Sequence, residues 1–299
     1  MFGFFNNKVF DKGYLPEFEG HEIYYQQMGN PKGEPVLFFH GGPGGSCKDS
    51  HGNYFNLKKQ RVIMFDQRGC GRSKTEDIIS LNDTKRLVKD ANRLLEYLNI
   101  CEPVTVAGGS WGSTLALLFA EKYPERIARI CLYAVFLARR EDMEWMLRDR
   151  GLFYPDLLEE IRRQSEGENP YTHYAKLLFS EDLGSIQTAI KYMVHYEYQL
   201  GRLDAGFKEV PIDNAAITSA RIGLYYAANR YFLADNEILK NIEKIENIPT
   251  LIVHNRLDMC CPLKGAWDLY RSLNNAEIEI IADLGHVGKK LRTAFRKHF

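Results

Sequence analysis

The chain has no surplus of charge of either sign: Lys plus Arg and Asp plus Glu both number 39 in 299 residues. Without a net field there is no long-range pull towards nucleic acid, an anionic membrane surface or a polyanion. The Lys- and Arg-rich piece from Lys289 to Lys297 reads as the exposed side of a last helix. No apolar run approaches the roughly 20 residues that span a bilayer. The opening Met1-Phe2-Gly3-Phe4-Phe5-Asn6 has no basic start and stops being apolar too soon for a signal peptide, so a cytoplasmic protein is expected. The six cysteines, at 47, 70, 101, 131, 260 and 261, contain no CxxC and no Cys/His ligand spacing. That pattern speaks against structural zinc or a disulfide framework, and no metal or cofactor is expected. Cys101 and Cys131 flank predicted strands and are expected as small buried hydrophobes. Repeats, linkers and low-complexity tracts are also missing. The length suits one large domain or a domain with a sizeable insertion.

What the chain does have is a compressed stretch from Pro103 to Tyr123, PVTVAGGSWGSTLALLFAEKY. The β-branched run Val104-Thr105-Val106 leads into Gly108-Gly109-Ser110-Trp111-Gly112. An apolar run with good helix formers follows from Ser113 to Glu121. The pattern is strand, sharp turn, helix, with Ser110 at the apex. Gly108 and Gly112 fit a GxSxG elbow, where a side chain at either position would crowd a strained turn. The helix then aims its positive end at the place where an oxyanion would form. Two glycines around an ordinary serine also arise by chance. The strand before and the helix after favour the nucleophile.

Gly20 to Gln27 reads as a strand running into the turn cluster Gly29 to Gly33. Pro35 to Phe39 is a buried strand ending in His40-Gly41-Gly42-Pro43-Gly44-Gly45. So glycine-rich a loop brings backbone N–H groups close to a ligand. Pro43 argues against mere flexibility, and the Gly42–Pro43 bond is a candidate for cis. Arg61 to Phe65 is the next strand. In the following Asp66-Gln67-Arg68-Gly69-Cys70-Gly71-Arg72-Ser73, Asp66 and Arg68 are expected to pair and brace the loop. Leu87, Val88, Ala91, Leu94, Leu95 and Leu98 have helical spacing, which predicts a helix over Asn82 to Asn99 with Asn82 as N-cap. Arg129 to Val135 is a further strand. Such alternation implies a mostly parallel sheet flanked by helices.

From about Ala138 to Asp235 no clear strand appears. Glu141 to Arg150, Pro155 to Gln164 and Ile186 to Gln199 read as helices. Nine of the 17 tyrosines fall in this third, which suits an inserted helical cap with an aromatic-lined cleft. The plainer alternative is that they pack the cap on itself. The organisation expected is therefore an α/β core of residues 1–137 and 236–299 carrying a cap of residues 138–235. Strands at Pro249 to His254 and Ala276 to Ala282, with helices at Leu263 to Ser272 and Lys290 to Phe299, complete the core.

Ser110, then Asp258, then His286 is the chain order of an α/β-hydrolase triad. Each residue follows a predicted strand, at the sheet edge where loops converge. In that reading Ser110 attacks a carbonyl, His286 moves the proton and Asp258 fixes the imidazole. His40 is expected to brace the glycine loop, and His254 to be a satisfied core histidine. Asp283 is the rival acid, but it shares the loop of His286, which makes Asp258 the better-placed partner. The N–H groups of Trp111 and Gly42 are the candidate oxyanion hole. Cys260 and Cys261 follow the candidate acid, where a thiol-modifying reagent would block the site.

HGGPGG at His40 to Gly45, DQRGCGRS at Asp66 to Ser73 and GGSWGSTLAL at Gly108 to Leu117 resemble the proline iminopeptidase family of α/β-hydrolase serine peptidases. IPTLIVHNRLDMCCP, Ile248 to Pro262, is similar to the family's acid-bearing loop, and GHEIYYQQMGNPKG, Gly20 to Gly33, to its opening. The resemblance covers most of the core and is looser in the cap. It implies the α/β-hydrolase fold and a cofactor-free exopeptidase that releases an N-terminal residue, typically proline, from a small peptide. It also implies that cap carboxylates recognise the free amine. The family's Trp-x-x-Trp-Glu segment matches Met193-Val194-His195-Tyr196-Glu197, which keeps the glutamate as Glu197 and replaces both tryptophans. Its Ala-Arg-Ile-Glu-Asn segment matches Ala220-Arg221-Ile222-Gly223-Leu224, where Gly223 replaces the glutamate.

Losing one of two carboxylates around a buried ammonium weakens its recognition. The alternative function is an esterase or amidase on the same scaffold, acting on small substrates without a free amine. A non-catalytic binding protein is the alternative from another class, and the complete Ser/Asp/His set speaks against it. No nucleic-acid or membrane partner is expected.

Overall fold

The computed structural model describes residues 9–194 and 212–299. Eight strands make one sheet: β1 (Val9–Tyr14), β2 (Tyr24–Gly29), β3 (Glu34–Phe39), β4 (Gln60–Phe65), β5 (Val104–Ser110), β6 (Ile127–Val135), β7 (Thr250–Leu257) and β8 (Ala276–Leu284). Their spatial order is β1-β2-β4-β3-β5-β6-β7-β8. β2 runs antiparallel to both neighbours, and every pairing from β4 across to β8 is parallel. A sheet covered on both faces needs continuous apolar strands. Val36-Leu37-Phe38-Phe39 and Val62-Ile63-Met64-Phe65 are accordingly buried throughout. β1 has no counterpart among the predicted strands. It is an edge strand whose sequence, VFDKGY, alternates half-buried and exposed residues and carries little hydrophobic signal.

Among the described residues ten α-helices accompany the strands: α1 (Thr84–Tyr97), α2 (Trp111–Lys122), α3 (Arg140–Leu147), α4 (Pro155–Gln164), α5 (Pro170–Leu178), α6 (Leu183–Ala189), α7 (Asn214–Ala228), α8 (Glu237–Lys240), α9 (Leu263–Ser272) and α10 (Lys289–Arg296). α1 buries the predicted stripe of Leu87, Val88, Ala91, Leu94 and Leu95. Its cap is Asp83, not Asn82: the Asp83 side chain accepts the Arg86 N–H at 3.0 Å. An anionic acceptor at a helix start gains from the dipole as well as from the hydrogen bond. Asn82 is buried instead, donating to the carbonyls of Arg68 and Ile78 and accepting the Tyr226 hydroxyl at 2.7 Å.

α2 is the central helix. It packs on β3, β5, β6 and α1, and every residue from Trp111 to Glu121 is buried. A helix covered on all sides must be apolar all round, and the buried polar residues here are Ser113 and Thr114, whose hydroxyls bond to backbone carbonyls, and Glu121. The opposite sheet face is closed by α10, where the Phe55 ring meets Phe38 at 5.7 Å and Phe295 at 6.4 Å, both edge-on.

Between β6 and β7 the described residues form helices and short turns and no strand. α5 and α7 were not predicted there. They pack on each other and bury Tyr171, Tyr174 and Tyr226. Tyr226 and Tyr231 rest on the Trp111 ring, each with a centroid separation of 5.4 Å. These four buried tyrosines pack the helices rather than line a cleft. Cys131 is buried as expected, whereas Cys101 is exposed because it lies in the loop before β5.

Candidate active site

Ser110 ends β5 and stands at the head of α2, with φ 55° and ψ −131°. A residue with a side chain adopts that backbone only where its surroundings impose it. A Cβ on Gly112 would run into the Phe39 carbonyl, and one on Gly108 into the Gly112 carbonyl. Glycine at both positions therefore lets β3, β5 and α2 close around the serine. Ser113, which carried no functional signal in the sequence, locks the turn: its hydroxyl donates to Ser110 O at 2.6 Å and accepts the Phe136 N–H at 2.9 Å.

The glycine loop lies against this elbow, and the Gly42–Pro43 bond is cis. His40 braces it. Its Nε2 accepts the Gln67 N–H at 3.0 Å, which leaves Nδ1 to donate to Gly41 O at 2.8 Å. Burial holds the His40 pKa below its usual value, so the ring is neutral. Gln67 also donates to His40 O at 2.9 Å and accepts the Trp111 indole N–H at 3.0 Å. One side chain thus ties the glycine loop to the residue after Ser110. The backbone N–H of Trp111 opens α2 and has no partner within the helix.

The expected Asp66–Arg68 pair does not form. Asp66 accepts the Arg72 side chain at 2.8 Å and the backbone N–H groups of Cys47 and Arg72. Arg68 turns the other way and grips Asp90 in a two-point bond of 2.6 and 3.0 Å, with Glu19 at 2.9 Å. The loop is braced, but by two separate ion pairs. Arg72 fits Asp66 because Gly69 and Gly71, both with positive φ, fold the chain back on itself.

Asp258 and His286 leave the ends of β7 and β8. His286 Nδ1 is 2.7 Å from Asp258 Oδ2. The other carboxylate oxygen accepts the N–H groups of Cys260 and Cys261, each at 2.9 Å, so the buried acid is held at both ends. Asp283 lies at the end of β8, before the His286 loop, and pairs with Lys290 at 3.2 Å. The His286 loop is anchored by Asn255, whose Nδ2 donates to Gly285 O at 2.9 Å. His254 is a satisfied core residue: it accepts the Val135 N–H at 3.0 Å and donates to Cys261 O at 2.8 Å, with burial lowering its pKa.

Ser110 joins this group through Cys261. The Cys261 thiol, whose pKa burial pushes well up, neighbours the Ser110 side chain. Cys260 approaches from the same loop. Its sulfur, an Asp258 oxygen and a His286 nitrogen lie within 4.8 Å of one another. The structure thus brings Ser110, Asp258 and His286 to one edge of the sheet, with Trp111 and the glycine loop beside them. Glu197 lies outside the described residues.

Residues 34–291 match the family described as the alpha/beta hydrolase fold. A proline iminopeptidase of Arabidopsis thaliana is 36% identical over 286 residues, covering 93% of this chain and 75% of that protein. Another, from Neisseria meningitidis, is 36% identical over 284 residues, covering 93% and 90%. The chain belongs to the proline iminopeptidase family of α/β hydrolases. Among solved structures, an esterase from Exiguobacterium antarcticum superposes with a TM-score of 0.59 at 19% identity, over 95% of this chain and 96% of that one. At that identity the likeness speaks for the fold alone.

Relative to the proline iminopeptidase pattern, the departure at Gly223 sits in α7, directly over the glycine loop. A Cβ built on Gly223 would meet the Pro43 carbonyl at 3.4 Å, an ordinary contact. The neighbouring Ser219 backbone presses on Gly44 so closely that no side chain would fit there. α7 therefore roofs the loop, and position 223 accepts a Cβ without a clash.

Proposed function

We propose that this protein releases N-terminal residues, preferentially proline, from short peptides through an acyl-enzyme on Ser110. The observation that carries the reading is the strained Ser110 at the head of α2, set beside the Asp258–His286 pair. In this mechanism His286 takes the Ser110 proton as the hydroxyl attacks the scissile carbonyl, then hands it to the leaving amine. Asp258 holds Nδ1 and stabilises the imidazolium. The N–H groups of Trp111 and Gly42 receive the oxyanion, positioned by the Gln67 link to the His40 loop. Water then repeats the sequence on the acyl-enzyme.

Residues 138–235 act as the cap in this reading, and Glu197 receives the substrate's free ammonium. The second reading, an esterase or amidase for substrates without a free amine, draws on Gly223, which stands above the glycine loop where the resembled pattern has a glutamate. A cytoplasmic setting fits thiols such as the buried Cys47, Cys70 and Cys131. No helix among the described residues is long and apolar enough to cross a membrane. Release of free proline from a proline-led dipeptide, and its loss in Ser110→Ala, tests the assignment. A protein that cleaves esters but never releases an N-terminal residue would move the second reading ahead.

A further inference from the structure

A cavity of about 510 Å³ opens at the far end of α2 from Ser110, between α1, α2 and the chain returning from the cap. Its floor is apolar, formed by Val88, Leu118 and Leu233. Glu121 also lines it, ten residues along α2 from Trp111 and so about 15 Å from the elbow at helical rise. Glu121 is only 9% exposed, and its Oε1 is buried with no hydrogen-bond partner among the described residues. Such an orphan acceptor costs stability unless something donates to it. The rim has the opposite character. Lys85, Lys89, Lys122 and Lys244 are all exposed around the mouth, with the half-buried Glu237 the one acid among them.

These features select a ligand class. A purely anionic ligand would meet the lysines and leave Glu121 unsatisfied. A purely cationic one would have to pass four like charges. A molecule with an ammonium at one end, a carboxylate at the other and an apolar side chain between them satisfies floor, acid and rim together. We propose that this cavity is a second binding site, for a free apolar amino acid or short apolar peptide, with its ammonium on Glu121 and its carboxylate on the lysine rim. The cavity is of the size that small-molecule sites have, and it stands independently of the chemistry at Ser110.

A consequence follows for protons. Burial pushes the Glu121 pKa up to about 8. The charges facing it are Lys244 and Glu243 from one turn and Glu237 from α8. Lys85 and Lys89 from α1, Lys122 at the end of α2 and Tyr123 just after it complete the surround. An arriving ammonium favours the carboxylate, so binding near neutral pH releases a proton.

The test is titration calorimetry on the full chain carrying Ser110→Ala. The probes are L-leucine, leucyl-leucine, N-acetyl-L-leucine and L-leucinamide, in two buffers of different ionisation enthalpy. L-leucine or leucyl-leucine should bind with Kd below about 1 mM and release a proton, and the comparison of the two shows whether amino acid or peptide is preferred. N-acetyl-L-leucine should not bind at this site, and L-leucinamide should bind at least ~10-fold more weakly. Glu121→Gln should abolish the proton release and weaken binding at least ~10-fold. Leu233→Trp, which fills the apolar floor without removing the acid, should do the same to binding. The inference is overturned if neither zwitterion binds, if N-acetyl-L-leucine binds as well as L-leucine, or if both variants bind like the parent.

Discussion

Asp258 holds His286 at 2.7 Å, while Asp283, three residues before that histidine, is bound to Lys290 instead. The difference follows from strand order. β7 lies beside β8, so the loop after β7 reaches across to the imidazole, whereas Asp283 sits at the end of β8 itself. Asp258→Asn should keep the fold and lower kcat by about 10³–10⁴-fold, because the wrong tautomer faces Ser110. Asp283→Asn should change kcat less than about 3-fold, since it removes one exposed ion pair. Steady-state kinetics on both variants decides between the two acids, and reversed effects would make Asp283 the partner.

Gln67 is a positioning residue that the sequence did not single out. It carries the His40 loop to Trp111 through three hydrogen bonds. Gln67→Leu leaves the buried Trp111 indole N–H unpaired, which should cost about 1–3 kcal/mol in stability. It should also lower kcat by about 10–100-fold with KM little changed, because both proposed oxyanion donors sit on the elements it joins. A pure stability loss with normal kcat would limit Gln67 to structure.

The amine-recognition proposal makes two opposite expectations. Glu197→Gln should lower kcat/KM for free-amine substrates at least ~100-fold, since unpairing a desolvated charge costs about 3–5 kcal/mol. Hydrolysis of a small neutral ester should hardly change. Gly223→Glu should raise activity on free-amine substrates, and a Cβ there would make only an ordinary 3.4 Å contact with the Pro43 carbonyl. Equal losses on ester and aminoacyl substrates in Glu197→Gln would make that residue structural.

Much of the core was legible because its signals are local. The apolar runs of β3 to β7, the period of α1 and the glycines flanking Ser110 each follow from a few adjacent residues. Chain order and strand ends alone mark Asp258 and His286 as triad candidates. What escaped depends on tertiary placement. Arg72 rather than Arg68 meets Asp66 because of the path the loop takes through Gly69 and Gly71. Gln67 and Ser113 are ordinary polar residues until the fold sets them between loops. α5 and α7 were missed because their tyrosines and small residues give a weak helical period, while Asp83 outcompeted Asn82 one position away.

Glu121 should leave a mark on stability. Its pKa of about 8 in the folded protein lies well above the roughly 4.3 of an unfolded chain. Between those values the folded protein keeps a proton that the unfolded chain has released. Stability from this group therefore falls as pH rises through that window and levels off above about 8. Glu121→Gln should remove this dependence. By denaturant unfolding the variant should exceed the parent by at least ~1 kcal/mol near pH ~9, with the gap closing towards pH ~5. A constant gap across that range would show that the Glu121 carboxyl titrates normally.

The most direct measurement of the proposed activity compares kcat/KM for a prolyl arylamide with that for its N-acetylprolyl counterpart, in the parent protein and in Ser110→Ala. The two substrates share the scissile bond and differ at the amine. The expected result is a preference for the free amine of at least ~100-fold, with both activities lost in Ser110→Ala. Equal cleavage of the two arylamides would contradict the aminopeptidase assignment, and near-normal turnover by Ser110→Ala would contradict the mechanism.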